Sequence, residues 1–255
     1  MPEQTIIAWD LETVPDIWAA ARMLDLSMAT EAEVREALGP GFPKHPLHKI
    51  VCIGALVASR QAEGWRVDAL GAPHVKERTE GELISAFAER VGQLRPQLIT
   101  WNGHSFDLPV LRYRAMVNRV SAEGLQVRQY FHRYTDDAID LCDVLGSYVP
   151  GVKVKLDEVT KILGLPGKPE GIDGSRVEEM VLSGRIDEVA RYCESAWSNH
   201  GQTARMERTT SPGVRYDPEV GQSPSVCGGR NRLTAFGRER SGKTKWRNAK
   251  SAGRT

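Results

Sequence analysis

No stretch of this 255-residue chain is long and apolar enough to span a bilayer; the longest, Ile50 to Ser59, falls well short of the roughly 20 residues required. Cysteine is scarce as well. Cys52, Cys142, Cys193 and Cys227 stand far apart, form no Cys-x-x-Cys pair and follow no secretory signal, which argues against a zinc ribbon and a disulfide framework. A soluble cytoplasmic protein with free thiols is expected. The last 60 residues hold eight Gly but only four Ile, Leu or Val (Val214, Val220, Val226, Leu233), too few to offset the entropy of ordering them. They read as a disordered tail. The net charge of +1 is split between that basic tail, at +8, and an acidic body over residues 1–195, at −7. An acidic body suits a cation-binding site better than a passive clamp for nucleic acid.

What the body does contain is alternation of strand and helix signals. Thr5 to Trp9 is an apolar, β-branched run leading into Asp10, as expected of a buried strand that delivers acids at its C-terminal end. A helix is expected over Ile17 to Leu38, strands over Lys49 to Ser59 and Gly64 to Leu70, and a helix from Thr79, with Glu82 completing a capping box, to about Gly92. Gln97 to Trp101 is the next strand and Asp107 to Val120 the next helix. Asp140-Leu141-Cys142-Asp143 reads as a strand or helix start, and Leu156 to Leu163, Ser175 to Leu182 and Ile186 to Ser195 as helices. This order implies a mixed α/β sheet.

Three blocks carry the chemistry: Asp10-Leu11-Glu12, then Trp101-Asn102-Gly103-His104-Ser105-Phe106-Asp107-Leu108-Pro109, then Tyr192-Cys193-Glu194-Ser195. Asp10 and Glu12 lie two apart on a strand and therefore share a face. Gly103 permits a tight strand-to-helix turn, Phe106 offers a ring to a base or to the core, and Asp107 at a helix start can aim back at Asp10. Hydrolysis of a phosphodiester by two metals needs such hard oxygen ligands, with the cations roughly 3.5–4 Å apart.

In that order and at those separations the blocks resemble the DEDDy family of 3′–5′ exonucleases, most closely the small bacterial proteins similar to the proofreading domain of B-family DNA polymerases. The resemblance covers about Thr5 to Ser195. It implies a ribonuclease H-like α/β fold, a mixed five-stranded sheet flanked by helices, over residues 1–195. It also implies two divalent ions, Mg2+ or Mn2+, held by Asp10, Glu12 and Asp107. Tyr192 would orient the attacking water, and Leu11, Asn102 and Phe106 would lie at the substrate. The partner is a single-stranded 3′ end, DNA ahead of RNA, and no membrane. Lys168 is a weaker candidate for a phosphate contact.

The family's last motif, Tyr-x-x-x-Asp, is broken, because Ala196 stands where the fourth carboxylate is expected. Glu194 is no substitute, since on a helix it points about 200° away from position 196. One inserted base explains the break. An A placed in any Ala196 codon, ahead of Trp197 and a Ser198 codon beginning TC, turns Ala-Trp-Ser into Asp, then Val, Leu or Met, then Val. Residues 196–255 would then be a frameshift product, and resequencing the gene tests this.

Other signals are weaker. Gly237 to Thr244 fits the P-loop pattern GxxxxGKT, a remote nucleotide-hydrolase alternative, yet it lacks a convincing strand before it and has only eleven residues after it. His45 and His48 have no third ligand nearby in sequence, and Pro43 and Pro46 oppose a helix there, which disfavours zinc. A catalytically dead module that binds 3′ ends is the main alternative to an enzyme.

Overall fold

The computed structural model describes residues 4–62, 64–165 and 174–194. Strand β1 (Thr5–Pro15) is the centre of the fold; β2 (His48–Gln61) pairs antiparallel on one side of it and β3 (Gly64–Gly71) extends that side as a meander. On the other side β4 (Gln97–Thr100) and β5 (Ala138–Asp140) run parallel to β1, completing a five-stranded mixed sheet of order β3-β2-β1-β4-β5. Parallel neighbours need crossovers. These are helix α3 (Glu80–Leu94), between β3 and β4, and α4 (Asp107–Val117), between β4 and β5.

Two sequence-based boundaries change. β1 runs past both acids to Pro15, so Asp10 and Glu12 lie within the strand and not at its C-terminal end. The helix expected over Ile17 to Leu38 is two helices. Helix α1 (Ile17–Met23) starts at the N-cap Asp16, α2 (Glu31–Leu38) starts at a Thr30–Glu33 capping box, and Asp25 between them adopts a left-handed φ of 58°. That second capping signal is the one the periodicity concealed. The Thr79–Glu82 capping box forms as expected.

Every β1 side chain from Ile6 to Trp9 is buried, so both faces of the sheet are covered. Trp9 packs on Phe87 of α3, with ring centroids 4.7 Å apart. By strand alternation Ile7, Trp9 and Leu11 share that face, and Asp10 and Glu12 look to the other. The later helices are α5 (Leu141–Leu145), α6 (Leu156–Ile162), α7 (Val177–Leu182) and a last helical run over residues 186–194. No described helix is long and apolar enough to cross a membrane. Ser195, Ala196, Lys168 and the tail with its P-loop-like stretch lie outside the described residues.

Candidate active site

β4 pairs with β1 only over Ile6, Ile7 and Ala8, after which β4 ends and the chain turns away. The β1 edge beyond that point still carries backbone donors that must be satisfied. At Leu11 the N–H donates instead to Asp107 Oδ1, at 3.1 Å. A sheet edge that runs out of partner strand thus fixes the Asp107 carboxylate beside the Asp10–Glu12 pair. On the opposite edge the β1–β2 register slips between Glu12 and Thr13, a bulge of the kind that re-aims side chains near active sites.

The electrostatics agree with this placement. Asp107 is buried, and its pKa is pushed well above the ordinary carboxylate value first by that burial and then by the negative charge of Asp10; the Leu11 N–H opposes the rise. Glu12 is also buried. Tyr192 and Cys193 are fully buried in the last helix, and the Cys193 thiol is pushed up by its hydrogen bond to Cys52 and by burial, with smaller contributions from the charges of Glu12 and Asp10. That helix therefore lies near the acid pair. Glu194 is half-buried; its pKa is raised by burial, and Arg191 opposes the rise.

The turn carrying the second block is clasped by residues whose role the sequence did not disclose. Asn102 sits at a left-handed φ of 64°, which Asn tolerates better than most residues. Its N–H donates to Asp140 Oδ1 at 2.7 Å and the His104 N–H to Asp140 Oδ2 at 3.1 Å, while the same Asp140 caps α5 through the Cys142 N–H. Lys153 donates to Asn102 Oδ1 and, at 2.7 Å, to Ser105 Oγ. Gly103 is required by close approach: a Cβ there would stand 2.3 Å from Thr100 Oγ1 and 2.5 Å from Thr100 Cβ. Gly103→Ala is accordingly expected to destabilise the fold by about 1–3 kcal/mol. Urea unfolding measures this, and an unchanged midpoint would refute the steric account.

His104, Asp140 and Asp143 bring one ligand atom each within 4.8 Å of one another, a geometry compatible with one cation. As arranged they act as a clasp. Asp140 accepts the backbone donors just described, and Arg133 takes both oxygens of Asp143, at 2.6 and 2.7 Å, holding its pKa below the ordinary value. His45 and His48 do not converge on a metal either. His45 Nε2 donates to the Ser105 carbonyl at 3.0 Å; His48 Nε2 donates to the Pro43 carbonyl at 3.1 Å, which leaves Nδ1 to accept from the Thr13 hydroxyl, also at 3.1 Å.

Of the other residues read from sequence, Phe106 and Asn102 are partly exposed at this turn, whereas the Leu11 side chain is buried. What Leu11 brings to the acids is its backbone.

A family model described as a predicted 3′–5′ exonuclease related to the exonuclease domain of PolB matches residues 40–199, which include the second block and Tyr192 and exclude Asp10 and Glu12. Among solved structures the chain is similar to the family B DNA polymerase of the hyperthermophilic archaeon Pyrobaculum calidifontis, with a TM-score of 0.54, 18% identity, 81% of this chain covered and 25% of the polymerase. It also aligns with E. coli exonuclease I in complex with a dT13 oligonucleotide, with a TM-score of 0.37, 15% identity, 74% of this chain and 42% of that one. At such identities the polymerase likeness speaks for the fold, a ribonuclease H-like sheet, and this chain spans only a quarter of the polymerase. No curated protein matches.

Proposed function

Because the chain belongs to the family of predicted 3′–5′ exonucleases related to the PolB exonuclease domain, we propose that it is built to remove nucleotides from the 3′ end of single-stranded nucleic acid. DNA is favoured over RNA, the location is cytoplasmic, and the products are nucleoside 5′-monophosphates. The observation that carries this reading is the approach of Asp107 to the strand that bears Asp10 and Glu12: the Leu11 N–H donates to Asp107 Oδ1, and burial and the Asp10 charge both raise the pKa of Asp107. Carboxylates crowded in this way repel one another until a cation compensates them, and hard oxygen donors are what magnesium and manganese take. In this reading Asp10, Glu12 and Asp107 would hold two divalent ions, Mg2+ or Mn2+. When bound, these ions would lower the pKa of the attacking water and neutralise charge on the leaving oxygen.

The chain's own residues do the rest. The Leu11 N–H holds the Asp107 carboxylate in place. Tyr192 orients the water for in-line attack on the terminal phosphorus, while Asn102, Phe106 and the backbone of Leu11 receive the terminal nucleotide. The bond that breaks is the one from phosphorus to the 3′ oxygen of the preceding nucleotide. Ala196 supplies no carboxylate, so activity of the chain as it stands is expected to be strongly reduced. Residues 1–195 would be the exonuclease domain and residues 196–255 the tail left by a shifted frame.

Degradation of a 5′-labelled single-stranded oligonucleotide with manganese tests this on three proteins: the chain itself, Ala196→Asp, and a reconstruction from a gene with one base inserted at codon 196. The reconstruction is expected to digest from the 3′ end, and Asp10→Ala within it to stop digestion. If the unaltered chain digests as fast, Ala196 is no defect. If even the reconstruction is inert but binds 3′ ends, the chain is a binding module.

A further inference from the structure

The loop between α2 and β2 presents a ring that the catalytic reading does not use. Phe42 is 77% exposed. Yet it is held in place. Its ring lies 4.6 Å from that of His48 and 5.6 Å from that of Phe106, and Phe106 in turn meets the His48 ring edge-on at 4.9 Å. His48 is buried, and burial lowers its pKa, so it stands as a neutral plate behind the two phenyl rings. The loop is tied on both sides to the catalytic blocks: His45 to the carbonyl of Ser105, two residues before Asp107, and His48 to the hydroxyl of Thr13, next after Glu12.

We propose that Phe42 is a base-stacking subsite for single-stranded nucleic acid, taking a base adjoining the one received by Phe106; this rests on the exonuclease reading above. Stacking on an aromatic face is tolerant of base identity, which is what an enzyme moving along a strand needs. The ring is fixed before substrate arrives, so little ordering entropy opposes its use. The surrounding charge suits a strand better than an apolar protein surface. Residues 41–49 contain Lys44 and Lys49, both exposed, and no acidic residue, although residues 1–195 as a whole are acidic. Phosphates flanking a stacked base would meet those ammonium groups.

The test is binding of a single-stranded oligonucleotide to the full chain, with calcium in place of magnesium. 2-Aminopurine is placed either at the 3′ terminus or one nucleotide in, and its fluorescence reports stacking. Phe42→Ala is expected to weaken binding about tenfold, the scale of one lost base–aromatic stack. It should abolish quenching at the inner position and spare the terminal one, while Phe42→Trp restores both. Because the ring is exposed, the thermal midpoint of Phe42→Ala should not move. Should Phe42→Ala bind within twofold of the unaltered chain and keep the inner quench, the subsite is refuted and the exonuclease reading stands. If neither the unaltered chain nor the reconstruction binds, both fall. If Phe42→Ala instead turns a dimer into a monomer with binding per site unchanged, the ring is a contact between copies of the chain.

Discussion

Asp107→Asn, introduced into the reconstructed chain, is expected to lower the rate of oligonucleotide digestion on the order of a thousandfold and at the same time to stabilise the metal-free protein. In the proposed mechanism the loss of rate would follow from removing one of the carboxylates that hold the cations; several kcal/mol of transition-state stabilisation correspond to that factor. The gain in stability has a separate cause. Burial and Asp10 raise the folded-state pKa of Asp107 well above the ordinary carboxylate value. A carboxyl raised in the folded state contributes its full stability when protonated, below the ordinary value of 3.8, and that stability is lost as pH climbs through the raised one. At neutral pH and without metal, Asp107 therefore weakens the fold. Asparagine keeps an oxygen to accept the Leu11 N–H and carries no charge.

Thermal unfolding in a chelator across pH separates the two effects. The unaltered site should lose stability as pH rises above 3.8, and Asp107→Asn should flatten that part of the profile. Below it, the lowered carboxyls of Asp16, Asp137 and Asp143 act in the opposite sense, because their ion pairs are lost on acidification. A variant as active as its parent, or one less stable than it at neutral pH in chelator, would contradict the placement of Asp107.

Glu80→Ala is expected to cost about 3–5 kcal/mol, the scale for stranding a buried charge, and to lower the thermal midpoint on the order of 10 °C. Arg114 is only 2% exposed and lies inside the fold, where its Nε and Nη2 donate to Glu80 at 2.7 and 2.6 Å and its Nη1 donates to Asp16 at 2.8 Å and to the Pro46 carbonyl at 2.9 Å. Glu80 also accepts the Ile50 N–H at 2.7 Å and the Asn118 amide at 2.9 Å. Five segments meet at this pair: the N-cap of α1, the first residue of α3, the start of β2, the turn before it, and α4. Arg114→Lys is expected to fail as well, since a single ammonium cannot reproduce the planar fork that reaches Glu80, Asp16 and Pro46 together. Because α4 begins at Asp107, the same variants should weaken metal binding at the acids. Denaturant unfolding with and without manganese measures both, and Glu80→Ala within 1 kcal/mol of its parent would show that the network is dispensable.

Much of the candidate site was legible in the chain because strand alternation and a strand-to-helix turn are local. Two-residue spacing put Asp10 and Glu12 on one face, and the Asn102-Gly103 turn followed by Phe106-Asp107 announced a helix start. The same locality explains what was misread. Periodicity over Ile17 to Leu38 does not reveal a left-handed Asp25, and an apolar run leading into the acids does not say that pairing with β2 carries the strand beyond them to Pro15.

The sequence by itself determined the order of strands and helices, the pair of acids on β1 and the helix opening at Asp107, since each depends on neighbours a few residues away. Only the tertiary structure decided which distant groups meet. Asp107 reaches Leu11 across 96 residues because β4 ends early. Asp140 clasps the Asn102 turn, Arg114 gathers five segments, and His48 stands Phe42 beside Phe106. Such contacts are fixed by which backbone donors the sheet leaves unpaired and by which charges the core encloses, and neither is written at any single position of the chain.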